Sequence, residues 1–237
     1  VEYTVTKYQG FEIWNYPVID STNEQAKRVA ADNFVIVAAS QTAGKGRGGK
    51  SWISDDGNLF FSIILDASRL KNPEIISFVA ALSVANAIEK NGASCLIKWP
   101  NDVLVENKKC CGILLEKHKN NLIVGIGINI NSAPEYLDSG RSACCLSEYL
   151  KDVDNDKILK QILAEFSNIF EEYKRSDFVP IREKILSKLY KLNEFIELDQ
   201  LGKKHKGRII DISPSGNLVL ETDKGRQEYS VGEIFGL

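Results

Sequence analysis

The residues Ser40–Trp52, SQTAGKGRGGKSW, gather four glycines and three cations, Lys45, Arg47 and Lys50, into thirteen positions. Glycine lets backbone N–H groups lie against a ligand, and lysine and arginine neutralise phosphate or carboxylate, so the segment could hold an anion. Gly44–Ser51 also spells the phosphate-loop pattern G-x-x-x-x-G-K-[ST]. That pattern works only where the loop runs directly into a helix whose N-terminus meets the phosphates. Here Ser51 is followed by the turn-like WISDDG and then by NLFFSIILD, Asn58–Asp66, an apolar run that reads as a strand. A parallel crossover would need a dozen residues or more. The segment therefore reads as a long loop between two antiparallel strands, its basic tip either solvated or facing an anion.

The neighbouring elements frame that loop. Ser21-Thr22-Asn23-Glu24 has the form of a capping box, and the residues after it predict a helix from about Thr22 to Ala31. FVIVAAS, Phe34–Ser40, reads as a buried strand entering the loop. Pro73 and Gly92 bracket a long apolar helix. From Cys95 the pattern becomes CLIKW, DVLVE, CGILLE and LIVGIGINI, separated by turns, as expected of antiparallel neighbours. Helices follow at about Asp156–Lys174 and Ile181–Tyr190, and after Asn193 come short strands and tight turns. The fold expected is α+β: a mixed, largely antiparallel sheet in residues 1–190 and a small β module in 191–237.

Composition narrows the function classes. With 43% hydrophobic residues, 26% charged residues and a net charge of -2 in 237 residues, the chain is ordinary globular material without the basic excess of a general nucleic-acid binder. No apolar run is long enough to span a bilayer, and the start lacks a secretion-signal profile, so a cytoplasmic protein is expected. The sequence contains no Met, which leaves open native N-terminal residues before Val1. The five cysteines include two adjacent pairs and no C-x-x-C spacing, which favours small buried side chains in a reducing compartment over disulfides or zinc.

In order and spacing, STN at a helix start, QTAGKGRGGKSW, KWPNDVLVENKKCCGILLE and VGIGININ closely resemble the biotin-protein ligases, in the form lacking an N-terminal DNA-binding domain. The resemblance covers about Phe11–Tyr190, and the small β module resembles that family's SH3-like C-terminal domain. It implies a seven-stranded mixed sheet with helices packed on one side, and a two-step reaction with ATP, Mg and biotin. Biotin is activated as biotinyl-5'-AMP and then passed to a lysine of a biotin carboxyl carrier domain. DNA and membrane are not expected as partners, and a homodimer is left open.

Residue by residue, the resemblance places Ser21, Thr22, Gln41, Gly44, Lys45, Arg47, Lys109, Gly112, Gly125 and Gly127 at biotin, with Arg47 closing the loop and Lys109 bridging carboxylate and α-phosphate as the central catalytic cations. Lys50, Trp52, Asn101, Asp102 and Asn129 fall at the nucleotide, Asp102 also at the Mg that accompanies ATP. Ile113, Leu115, Ile126 and Ile128 fit apolar walls, although core packing is their ordinary role. Without the resemblance, Lys108-Lys109 is a solvated turn and Asn101-Asp102 a turn cap. Lys45 stands where many members have arginine, and loses the bidentate fork. Cys110-Cys111, between Lys109 and Gly112, would make the enzyme sensitive to thiol alkylation. The rival readings are a lipoate-protein ligase, a non-catalytic module retaining the pocket and, last, a phosphate-loop hydrolase.

Overall fold

A computed structural model describes residues 2–29, 31–134 and 142–236. Its larger sheet has eight strands in the order β1-β2-β3-β4-β8-β7-β6-β5. They are β1 (Thr4–Tyr8), β2 (Phe11–Ile19), β3 (Phe34–Gln41), β4 (Leu59–Asp66), β5 (Cys95–Lys98), β6 (Asp102–Val105), β7 (Lys108–His118) and β8 (Asn121–Ile128). The expected count of seven is exceeded. In β1 the residues Thr4–Lys7 are all exposed, so this edge strand adds hydrogen bonds but no buried stripe that a pattern search would register. All neighbouring strands are antiparallel except β2 and β3, which α1 (Thr22–Val29) joins as a crossover. The glycine-rich loop does connect antiparallel strands, β3 and β4.

Side-chain alternation divides the sheet into two faces. Phe61, Ile63 and Leu65 of β4 and Val124 and Ile126 of β8 share a core with α2 (Ile76–Lys90), which is buried nearly all round. Its outer side is covered by α3 (Asn155–Ser176), whose buried Ile158, Leu159, Ile162, Phe166, Ile169 and Tyr173 recur at helical spacing. The third helix on this face is α4 (Val179–Leu186). The opposite face packs Ile36, Ile64 and Ile123 against Ala26 of α1 and the strand residues Tyr16 and Ile19. Thus the long helices lie on one side, while short α1 alone covers part of the other.

Five further strands form a separate antiparallel sheet: β9 (Phe195–Gln200), β10 (Lys203–Ile212), β11 (Leu218–Thr222), β12 (Gly225–Tyr229) and β13 (Glu233–Gly236), in the order β12-β11-β10-β9-β13. It is not loosely appended. Ile196, Leu198, Ile209 and Leu218 merge with the core of the larger body. The buried Lys98 Nζ donates to Ile234 O at 2.8 Å, and Trp99 Nε1 to Gly216 O at 3.0 Å. Polar groups buried at the junction are therefore satisfied from both sides.

Candidate active site

A cavity of about 810 Å³ is bounded by α1, the glycine-rich loop, β6–β8, the start of α2 and the small sheet. At its inner wall, β3 and α1 are locked together. Thr22 N–H, at the start of α1, donates to Gln41 Oε1 at 2.8 Å, and Gln41 Nε2 donates to Ser54 Oγ at 2.9 Å. Ser62 Oγ, in the middle of apolar β4, lies 2.8 Å from Thr22 Oγ1 and donates to Asn23 Oδ1 at 2.6 Å. Asn23 Nδ2 then donates to Glu116 Oε2 at 2.8 Å. The capping box expected at Ser21 is replaced. Ser21 N–H goes to Asp20 Oδ1 at 2.8 Å, while Glu24 turns to Lys27 and Lys45. Asn23 and Ser62 were assigned no role from sequence, although a lone serine inside LFFSIIL was a legible sign of a buried polar contact.

The floor consists of glycines, for reasons internal to the protein. A Cβ on Gly125 would stand 2.2 Å from Asn23 Oδ1. One on Gly112 would stand 2.6 Å from Trp52 Cζ3, and one on Gly127 2.6 Å from Trp52 Cε2. Gly112 and Gly127 are paired across β7 and β8, so the Trp52 indole rests on a flat patch that bears no side chain. Its Nε1 is buried without a hydrogen-bond partner. The close approach that these glycines permit is therefore first to Trp52 and Asn23, where the expectation had only a ligand.

Lys109 reaches this floor because β7 is irregular. Its register against β6 shifts between Val103 and Leu104, with Val103 opposite Cys111 and Leu104 opposite Lys109, so Cys110 is an inserted residue. In a regular strand, positions 109 and 112 would face opposite sides. The bulge places both on the cavity and turns Cys110 and Cys111 together into the helix-side core. Lys109 Nζ lies 2.7 Å from Asp102 Oδ1 and 5.2 Å from the centre of the Trp52 ring. Both cysteines are fully buried, and burial pushes their thiols well up. Sensitivity to alkylation in the folded protein, expected from the sequence, is thus corrected: the thiols are neither accessible nor ionised.

At the mouth, Arg47 donates from Nη2 to Gly232 O at 2.9 Å and from Nη1 to Asn101 Oδ1 at 3.3 Å. Lys50 Nζ stands 4.0 Å from Glu233 Oε2. Of the residues singled out from sequence, Ser21, Thr22, Gln41, Lys45, Arg47, Lys50, Trp52, Asn101, Asp102, Lys109, Gly112, Gly125 and Gly127 border the cavity. Gly44 and Asn129 do not. Gly44 packs where a Cβ would meet Trp52 O at 2.4 Å, and the Asn129 amide is spent on Cys144 O at 3.2 Å, behind the wall. Ile113, Leu115 and Ile126 border the cavity, although Ile113 and Ile126 also belong to the core facing α2; Ile128 lies in that core and does not border the cavity.

For Mg, the fit rests on Asp102. Its buried Oδ1 accepts no aligned hydrogen bond, despite the nearby ammonium. The described residues contain no cluster of three or more potential ligands. One carboxylate, paired with Lys109 and without a protein cage, suits Mg carried in by nucleotide phosphates, the usual mode for this ion.

Residues 16–132 match the biotin/lipoate A/B protein ligase family, and residues 192–236 match the biotin protein ligase C-terminal domain. The chain is 33% identical to a bifunctional ligase/repressor BirA from Bacillus subtilis, over 97% of this chain and 75% of that protein. It is 31% identical to a biotin--[acetyl-CoA-carboxylase] ligase from Paracoccus denitrificans, over 91% of this chain and 97% of the relative. A biotin protein ligase from Aquifex aeolicus, solved in complex with biotin and ATP, superposes with a TM-score of 0.86 at 33% identity, covering 94% of this chain and 97% of that one. With both domains matched in sequence and the whole architecture shared, the chain belongs to the biotin protein ligase family.

Proposed function

We propose that this cavity joins biotin to AMP and then delivers the biotinyl group to a lysine of a biotin carboxyl carrier domain. In the first step a biotin carboxylate oxygen bonds to the α-phosphorus of ATP, and the bond to the bridging oxygen breaks as pyrophosphate leaves. In the second, the carrier amine attacks the carbonyl carbon, AMP departs, and the amine's proton is lost as the amide forms. The observation that carries this reading is the gathering of Lys45, Arg47, Lys50 and Lys109 around one cavity floored by glycines. Two anions must meet there, and preorganised cations lower the cost of bringing them together.

The roles proposed are those the family resemblance implies, supported by where the residues lie. Ser21, Thr22 and Gln41 present polar groups to the ureido end of biotin, held still by the hydrogen bonds to Ser54 and Ser62. Lys109 exchanges Asp102 for the carboxylate and α-phosphate as they join. Arg47 holds the loop shut, keeping water from the acyl phosphate. Lys50, Trp52, Asn101 and Asp102 serve the nucleotide, with Asp102 holding its Mg, which when bound offsets charge on the departing pyrophosphate. Residues 1–190 form the catalytic domain and 191–237 the C-terminal domain. The protein works in the cytoplasm, a reading supported by five unpaired cysteines and by the lack, among the described residues, of a helix long and apolar enough to cross a membrane. A homodimer is compatible with the exposed edge strand β1.

The test is Lys109→Ala. Adenylate formation from biotin, ATP and Mg should fall by about 10²–10³-fold with the fold intact by circular dichroism. Unimpaired adenylation would remove Lys109 from its role, and adenylation of lipoate in place of biotin would overturn the substrate.

A further inference from the structure

Strands β9 and β10 are joined by two residues, Leu201 and Gly202, with φ of 54° and 86°. A two-residue turn with both φ positive ordinarily takes Asn-Gly or Asp-Gly, because a Cβ in the left-handed region is strained unless a short polar side chain compensates. Among the described residues, ten non-glycine positions have positive φ, and Leu201 is the one with an apolar side chain. It is also 92% exposed, so it contributes nothing to the core. Strain and exposure together describe a side chain that the core does not call for.

Its position narrows what that is. Leu201 borders the mouth of the active-site cavity. Val231, 43% exposed, also borders the mouth, two residues before Glu233, whose partner in β9 is Asp199. Two apolar side chains thus stand exposed at the opening, beside Asp199 and Glu233. Whatever enters must pass them.

We propose that Leu201 and Val231 form a docking patch for the folded carrier domain, contacting its surface beside the target lysine. This rests on the ligase reading above. A lysine amine lies only about 6 Å from its own backbone on a four-carbon stem, so the carrier's main chain must come down onto the rim for the amine to reach the acyl phosphate. Biotin and ATP are small enough to bind within the cavity, so the patch serves the protein substrate alone. Burying most of one leucine is worth roughly a factor of ten in affinity.

Leu201→Asn tests this without threatening the fold, since Asn-Gly suits the turn better than Leu-Gly. The full chain is assayed in three ways: biotinyl-adenylate formation, release of the biotinyl group to hydroxylamine, and transfer to a biotin carboxyl carrier domain. The expected result is a KM for the carrier raised about five- to tenfold, restored by Leu201→Met, with kcat, the KM values for biotin and ATP, the hydroxylamine rate and the sedimentation coefficient unchanged. An unaltered carrier KM overturns the patch. A raised KM for ATP would place Leu201 at the nucleotide, and altered sedimentation would assign the patch to a second copy; either result also overturns it. If the wild type forms no adenylate, the ligase reading itself fails and the docking patch falls with it.

Discussion

Gly125→Ala should unfold this protein at a lower temperature through one side chain, Asn23. The added methyl group would sit 2.2 Å from Asn23 Oδ1 and 2.9 Å from Cγ, well inside contact distance. Neither partner can retreat easily. Gly125 lies in β8, hydrogen-bonded between β4 and β7, and Asn23 is 3% exposed and held by Ser62 and Glu116. If the strand gives way, overpacking costs about 1–3 kcal/mol. If Asn23 swings out, it loses a hydroxyl hydrogen bond of about 1 kcal/mol and a carboxylate hydrogen bond of about 1.5–3 kcal/mol. Replacing a strand glycine returns roughly 0.5–1 kcal/mol. The net loss is about 2 kcal/mol, which for a chain of this size lowers Tm by roughly 4–8 °C. Urea denaturation of G125A, N23A and the double variant measures it. In the Asn23→Ala background the methyl group has room, so G125A should cost little there and the coupling should reach about 1.5 kcal/mol. Strictly additive effects, or G125A within 0.5 kcal/mol of wild type, would refute the steric reasoning.

Three further outcomes follow from the same geometry. Gly127→Ala should displace the Trp52 indole, seen as red-shifted emission in a background with Trp14 and Trp99 replaced by Phe, and cost about 1–3 kcal/mol; unshifted emission would mean the indole does not rest there. In the folded protein, Cys110 and Cys111 should resist an aromatic disulfide reagent and react only on denaturation, because burial raises both thiols and excludes the reagent; rapid native-state labelling at either position would contradict this. Asp20 is held down to about 2, chiefly by its hydrogen bond with Arg28. A depressed carboxyl stabilises above its unfolded value of 3.8 and loses that contribution as pH falls towards 2, so Arg28→Ala should destabilise at pH 7 but not at pH 2. The pair is largely exposed, so the difference should stay under about 1 kcal/mol, and an equal loss at both pH values would rule the pair out as its source.

Most elements, and the company the site residues keep, are legible along the chain before it folds. The apolar run after Ser51 was enough to deny Gly44–Ser51 a helix, because periodicity and chain length are local properties; β3 and β4 are indeed antiparallel neighbours. The motifs named the family, and thirteen of the fifteen residues they singled out border one cavity. What each of these residues touches came only from the folded chain. A bulge at Cys110, invisible in the spelling KKCCG, sets Lys109 on the same face as Gly112. Partners far away in sequence, Asn23 for Gly125 and Trp52 for Gly112 and Gly127, explain glycines that a strand pattern alone reads as weak points. Asn129 has the right chemistry for a nucleotide, but it does not border the cavity and its Nδ2 donates to Cys144 O. Leu201, a plain leucine in the sequence, becomes conspicuous only when its backbone angle and exposure are known. Side-chain type and spacing are written along the chain, whereas facing, burial and steric contact arise only when distant segments meet.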